Sequence, residues 1–111
     1  MDQTDSMIVV YTTFPTESDA RRIGAELVEQ RLAACVNIFP SMTSIYRWEA
    51  AIESANEAVM LVKTRRRLEA QVLEAIAARH PYSVPALIVL EPSKVAASYL
   101  QWLQAETAAQ H

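Results

Sequence analysis

Runs of apolar residues, and the spacings between them, divide this chain into strands and helices. Residues 7–13, Met-Ile-Val-Val-Tyr-Thr-Thr, are β-branched and aromatic and end at Phe14-Pro15, which predicts a buried strand followed by a turn. Thr16 and Ser18 are N-cap candidates for a helix whose first turn holds Glu17 and Asp19, acids that the positive end of a helix dipole favours. Its apolar face carries Ala20, Ile23, Gly24, Leu27 and Val28, while Arg21, Arg22, Glu26 and Glu29 point away, and the pattern runs to about Gln30. From Ala33 the text becomes extended and continues to Trp48, with Pro40 in its middle. A proline removes a ladder donor, so this strand is expected to bend at an edge or a bulge. Ile45, Arg47 and Glu49 alternate with Tyr46 and Trp48, and a short turn at Glu49-Ala50-Ala51 leads through Ile52 to a strand over residues 57–64. The pair reads as a β-hairpin, although its turn lacks the usual Asn-Gly or Asp-Gly. Residues 65–79 set Leu68, Val72 and Ile76 four apart, with Leu73 beside them and Glu69, Gln71 and Glu74 opposite, as a second amphipathic helix. Ala86-Leu87-Ile88-Val89-Leu90 is a short continuous apolar run, which predicts a central strand buried on both faces. Ser93 is placed to cap a last helix through Tyr99, Leu100, Trp102 and Leu103, and the chain frays after Gln104.

Strand, helix, strand, strand, helix, strand and an extra C-terminal helix is the order of an α+β, ferredoxin-like split β-α-β fold. In that fold both main helices lie on one face of an antiparallel sheet. A single domain takes up residues 1–111, with 1–6 and 105–111 read as frayed ends. The other face has only one small helix to cover it, and the hairpin carries Tyr46 and Trp48 beyond the span of the other strands. A monomer would leave aromatic surface and strand edges exposed, so the pattern asks for an oligomer.

Composition narrows the partners. The net charge of −3 supplies no basic field, which argues against nucleic acid. No apolar run approaches the roughly 18 residues that cross a bilayer, and Met1 to Ser6 are polar, unlike a signal peptide. A cytoplasmic protein with no membrane partner is expected. The one cysteine, Cys35, cannot form an internal disulfide and suits a reducing compartment. Gly24 is the sole glycine, so a Gly-rich phosphate loop is excluded and the turns must use other residues.

The chemistry-bearing residues are few. Pro81 forces the second helix to stop at about His80, in the stretch His80-Pro81-Tyr82-Ser83-Val84-Pro85. A histidine there either caps the last carbonyls or answers the partial negative charge as an imidazolium or a metal ligand. Cys35, in an apolar strand, is either a small core residue or, if partly exposed beside a cation, a reactive thiol. His111 is the only other histidine and ends the chain, so a His-rich metal site would need ligands from other subunits. Lys63-Thr64-Arg65-Arg66-Arg67 gathers cations at the start of the second helix, where the dipole disfavours them; they either bind a small anion or pair with Glu69 and neighbouring acids. Lys63 lies six residues after Glu57 on one strand, so the two share a sheet face and are read as an ion pair, structural or lining a cleft. No motif of an enzyme is present: no Ser-His-Asp order, no His-x-x-x-His, no Cys-x-x-Cys and no paired carboxylates.

Arg31-Leu32-Ala33-Ala34-Cys35-Val36-Asn37-Ile38, Ser44-Ile45-Tyr46-Arg47-Trp48, Glu57, Lys63-Thr64, His80-Pro81-Tyr82 with Pro85, and Tyr99-Leu100-Gln101-Trp102-Leu103 together resemble the CutA divalent-cation tolerance proteins, over Ile8 to Leu103. The resemblance implies a ferredoxin-like fold, a tight homotrimer joined by strand pairing between subunits, cytoplasmic location in bacteria and a link to copper tolerance. It also implies an architecture like the trimeric PII signalling proteins, with ligands in clefts between subunits. Where some bacterial members bind copper(II) with a first-strand cysteine and two adjacent histidines, this chain has Thr12 and Arg79-His80, and one of three ligands remains. Ala50 stands where a glycine usually follows the hairpin Trp, and residues 93–97 lack the glycine usual before the last helix. The expectation is therefore a non-enzymatic trimeric regulator binding a divalent metal or small anion. Copper(II) would be held weakly, through His80 and Cys35. The alternative is a small-molecule sensor or enzyme whose inter-subunit cleft is walled by Trp48, Glu57, Lys63 and Tyr82.

Overall fold

A computed structural model describes residues 5–108; His111 and the outer parts of both expected frayed ends lie outside the described residues. In β1, Met7–Phe14, the side chains of Ile8, Val10, Thr12 and Phe14 are fully buried on one face. After the turn at Pro15, α1, Glu17–Glu29, starts on Thr16, whose hydroxyl oxygen accepts the Asp19 N–H at 3.1 Å. Ala20, Ile23, Gly24 and Leu27 form its buried face. A Cβ on Gly24 would stand 2.8 Å from Val36 Cγ2 and 3.0 Å from Met60 Sδ, so α1 lies nearer the sheet than an alanine allows. The helix closes with Arg31 N–H on Val28 O at 3.1 Å and Leu32 N–H on Leu27 O at 2.9 Å, with Arg31 at φ 61°. That is the Schellman closure, which usually takes glycine.

β2, Cys35–Trp48, and β3, Ala51–Arg65, form a long antiparallel hairpin. Its register slips between Phe39 and Met42, so the bend expected at Pro40 is a β-bulge. The turn is two residues, Glu49 and Ala50, at φ 49° and 68°, the left-handed pair of a type I′ turn. Ala51 already pairs with Trp48, and β3 is continuous from there. A 3-10 turn over Arg66–Leu68 precedes α2, Glu69–Arg79, so Arg65 belongs to the sheet and the helix starts later than its apolar period indicated.

The sheet order is β2-β3-β1-β4, antiparallel throughout. β4, Ile88–Leu90, is therefore an edge strand, not the central one expected, and Ile88 and Leu90 are 48% and 46% exposed. β1 already holds β3 on its other side, and a short apolar run does not reveal its place in the sheet. α3, Ala97–Glu106, begins at Ala96 with no side-chain cap; Ser93 lies outside it, and the helix continues two residues past Gln104.

Ile8, Val10 and Phe14 of β1, with Ala58, Met60 and Val62 of β3, pack under Ile23, Leu27, Val72 and Ile76 as one core. Each of the larger of these side chains, Val, Ile, Leu, Met or Phe, contributes roughly 1.5–3 kcal/mol when fully buried. α3 takes the opposite face: Leu103 is fully buried, and the Lys63 ammonium sits 5.7 Å from the Tyr99 ring centre. This is the split β-α-β architecture that the element order predicts.

Candidate functional site

The junction after α2 is built on His80. Pro81 holds His80 in extended backbone, ψ 136°, and the chain leaves the helix there. The ring turns back across the sheet end, stacking on Phe14 with centroids 4.4 Å apart and planes 14° apart. Tyr82 N–H donates to Nδ1 at 3.1 Å. A backbone N–H can only donate, so Nδ1 is the bare nitrogen and Nε2 carries the proton, which it gives to Thr13 O at 2.8 Å. Thr12 Oγ1 lies 3.4 Å from the same Nε2. Burial holds the His80 pKa below its ordinary value, although the Thr13 carbonyl and the charges of Asp19 and Glu57 pull the other way. Capping the helix carbonyls falls instead to Arg79, whose Nη1 donates to Ala75 O at 3.0 Å while its Nε meets Glu26 Oε2 at 2.7 Å.

Tyr82 carries the junction to the sheet. Its hydroxyl donates to Glu57 Oε2 at 2.8 Å. Burial and this carboxylate push the Tyr82 pKa up to about 12. Burial alone would raise Glu57, but the hydroxyls of Ser44, Tyr82 and Thr13, together with nearby His80, outweigh it and keep the carboxyl below the usual range. Glu57 is thus a carboxylate at neutral pH.

Beside this bond opens a cleft of ≈ 470 Å³ walled by Thr13 of β1, Tyr46 and Trp48 of β2, Glu53 and Glu57 of β3, and Tyr82. It brings together Trp48, Glu57 and Tyr82 of the expected wall. Lys63 is not among them: six residues along β3 is about 20 Å, and its ammonium instead lies against Tyr99. Strand period decides a face, not a distance, so the Glu57–Lys63 ion pair is not formed. Thr13, Tyr46 and Glu53 went unassigned from the chain pattern. The signal for two of them was present, because Glu53 has the parity of Glu57 and pairs directly with Tyr46.

The two metal candidates lie apart. Cys35 pairs with Lys63, which puts it on the α3 face, whereas His80 stacks on Phe14 of the α1–α2 core. The half-buried thiol meets Asn37 Nδ2 at 3.8 Å. Among the described residues no three His, Cys, Asp or Glu gather as a metal cluster. Copper(II) would reach a His80 nitrogen only by displacing the Tyr82 or the Thr13 hydrogen bond, so these residues do not make a preformed copper site. The arginines meet acceptors within the chain. Arg65 bonds Asp5 Oδ1 at 3.0 Å and Thr107 O at 3.2 Å, Arg66 bonds Glu69 and Glu91, and Arg67 lies 3.5 Å from Asp5. Pairing with acids, one of the two readings for this cationic stretch, is present in the structure.

Comparison with known proteins agrees with this architecture. Residues 8–106 match the family described as CutA1 divalent ion tolerance protein. The chain is 44% identical over 99 residues to the divalent-cation tolerance protein CutA of Thermus thermophilus, covering 89% of this chain and 96% of that one. It superposes on the divalent ion tolerance protein CutA1 from Ehrlichia chaffeensis with a TM-score of 0.91 at 38% identity, covering 94% and 97% of the two chains. For the periplasmic divalent cation tolerance protein CutA from Archaeoglobus fulgidus the TM-score is 0.89 at 35% identity, with coverage of 92% and 99%. The chain spans 55% and 57% of the Arabidopsis thaliana and human relatives it matches.

Proposed function

The chain belongs to the CutA1 divalent ion tolerance protein family, and on that premise we propose that it is a cytoplasmic, non-enzymatic homotrimer acting in the response to divalent cations. The observation that carries the reading is the hairpin: Trp48, 53% exposed, stands at an open cleft on one face, and Ile45 and Ile52, 74% and 68% exposed, lie on the other. Such a surface suits a binding site that a neighbouring subunit completes. No helix among the described residues is long and apolar enough to cross a membrane. Copper(II) binds weakly, through His80 alone, because Thr12 offers a poor ligand and the ring must first give up a hydrogen bond. Cys35, on the other face, takes no part in that site.

Calorimetric titration of the purified protein with copper(II) at neutral pH tests the metal assignment. Affinity weaker than about micromolar, abolished by His80→Ala, is expected. A sub-micromolar site that survives His80→Ala places the metal elsewhere.

The cleft favours a second reading: a small-molecule sensor, analogous to the PII-like architecture that the resemblance implies. Glu57, Tyr82 and Trp48 bind the ligand in that case.

A further inference from the structure

We propose that a second site, at the end of the sheet away from the hairpin tip, binds a diphosphate group through Arg31, Arg65 and Arg67. These arginines, with Gln30 and Gln71, line a cavity of ≈ 550 Å³ where α1 and α3 end and β3 passes into α2. Register fixes the place. Arg65 pairs with Met7, whereas the hairpin runs on without a third strand past the Phe14–Ala58 pair. Ala58 and Arg65 are about 23 Å apart along β3. Neither the hairpin beyond that pair nor the β4 edge gives the cavity a described lining residue. The site is therefore built within one chain and is distinct from the cleft at Trp48.

Arg65 is the anchor. Its side chain is 11% exposed, and its guanidinium is held by two bonds, Nη1 to Asp5 Oδ1 at 3.0 Å and Nη2 to Thr107 O at 3.2 Å. Nε is buried with no acceptor. A buried charged donor without a partner is costly, so the chain's own groups leave this guanidinium incompletely satisfied. Arg67 lies 3.5 Å from the same Asp5 oxygen, and one carboxylate oxygen thus serves two arginines. Arg31 comes from the end of α1, with Nη1 3.2 Å from Glu106 O and 3.8 Å from the Glu106 carboxylate. Asp5 and Glu106 are 39% and 47% exposed, and ion pairs so exposed hold weakly.

The donors choose the ligand. Counted with Asp5, Glu106 and the lining residue Glu29, the three cations are balanced, and the whole chain carries a net charge of −3. Selection therefore comes from directed N–H groups, not from a general positive field. A guanidinium fork matches a phosphate bidentately, and phosphate oxygens are strong acceptors that compete with the weakly held carboxylates. The arginines form two groups, Arg65 with Arg67 about Asp5, and Arg31 at Glu106. Two linked phosphates meet both groups, where a single phosphate meets one. The cavity volume is that of a small-ligand site, larger than one phosphate needs.

The test is calorimetry on the full-length protein in low-salt, phosphate-free buffer at neutral pH with EDTA, using pyrophosphate, orthophosphate and ADP. A second charge-assisted contact is worth about tenfold in affinity. Pyrophosphate should therefore saturate one site per chain at least about tenfold more tightly than orthophosphate. Arg67→Gln, at a 53% exposed position, should weaken pyrophosphate about tenfold, and Arg65→Lys, which keeps the charge and loses the fork, should weaken it as well. Arg21→Gln, on a 73% exposed arginine of α1 outside the cavity, should leave the affinity unchanged. ADP binding more tightly than pyrophosphate assigns the diphosphate to a nucleotide, and ADP binding more weakly assigns it to the free anion; both uphold the site. The proposal is overturned by the absence of saturable pyrophosphate binding, by orthophosphate matching pyrophosphate, by no effect of Arg67→Gln, or by Arg21→Gln weakening binding as much as Arg67→Gln.

Discussion

Both ring nitrogens of His80 are engaged, and this gives a titration with a definite sign. The neutral ring accepts from Tyr82 and donates to Thr13, and burial keeps its pKa below the ordinary value of about 6.5. Above that value both folded and unfolded chains hold a neutral ring, and the contribution of His80 to stability is fully present. As pH falls below it, the unfolded chain takes up the proton first, so stability is lost until the folded ring protonates as well. Urea unfolding at pH 7.5 and 5.5 should show a loss for the native protein that is smaller in His80→Gln. Equal losses in both would mean that the ring is not held neutral. At this scale the sequence was legible only in part. Pro81 dictates that His80 sits at a helix end, but its partners Thr12 and Thr13 lie 68 and 67 residues away, and no local pattern encodes that meeting. Glu57 and Tyr82 were both selected, whereas their mutual bond depends on how the junction folds over the sheet end.

Within the elements, the use of glycine is inverted. Arg31, Glu49 and Ala50 hold left-handed backbone, while Gly24 sits inside a helix to let α1 approach Val36 and Met60. A side chain in the left-handed region costs about 1–2 kcal/mol, less the extra unfolded-state freedom of glycine. Ala50→Gly is therefore expected to stabilise the protein by about 1 kcal/mol, since it relieves one of the two strained turn positions without touching the core. Gly24→Ala gains helix propensity but drives a methyl into a β-branched neighbour, for a net loss of about 1–2 kcal/mol. Denaturant midpoints at one protein concentration check both, and a destabilised Ala50→Gly would show that the turn is held by contacts rather than by its backbone. Among the described residues the sequence pattern placed each α-helix and strand, although β3 begins at Ala51, six residues before the stretch read as strand. It missed the edge position of β4 and the late start of α3, because a continuous apolar run is silent about neighbours and Ser93 makes no cap.

For the whole molecule, the shape is drawn out along the hairpin. The radius of gyration is 14.9 Å and the long axis 47 Å, against about 13 Å for the radius of a compact domain of this length. The cause is the hairpin: β2 and β3 have 14 and 15 residues, β1 has 8, and past the Phe14–Ala58 pair no third strand accompanies them. A two-stranded arm is marginal in water by itself, and this one exposes Ile45, Trp48 and Ile52. At the other side of the sheet β4 presents an unpaired edge with Ile88 and Leu90 uncovered. Arm and edge are different surfaces, so joining them between copies is a heterologous contact, which builds a ring where its rotation closes and not a two-fold dimer. Light scattering at micromolar concentration should give three chains per particle. Trp48→Ala should cost about 3 kcal/mol per subunit, if the indole is buried against its neighbour, and shift the population towards smaller species on dilution. A native protein that runs as a well-folded monomer, with Trp48→Ala melting alongside it, would leave the arm without its partner and remove the trimer from the account.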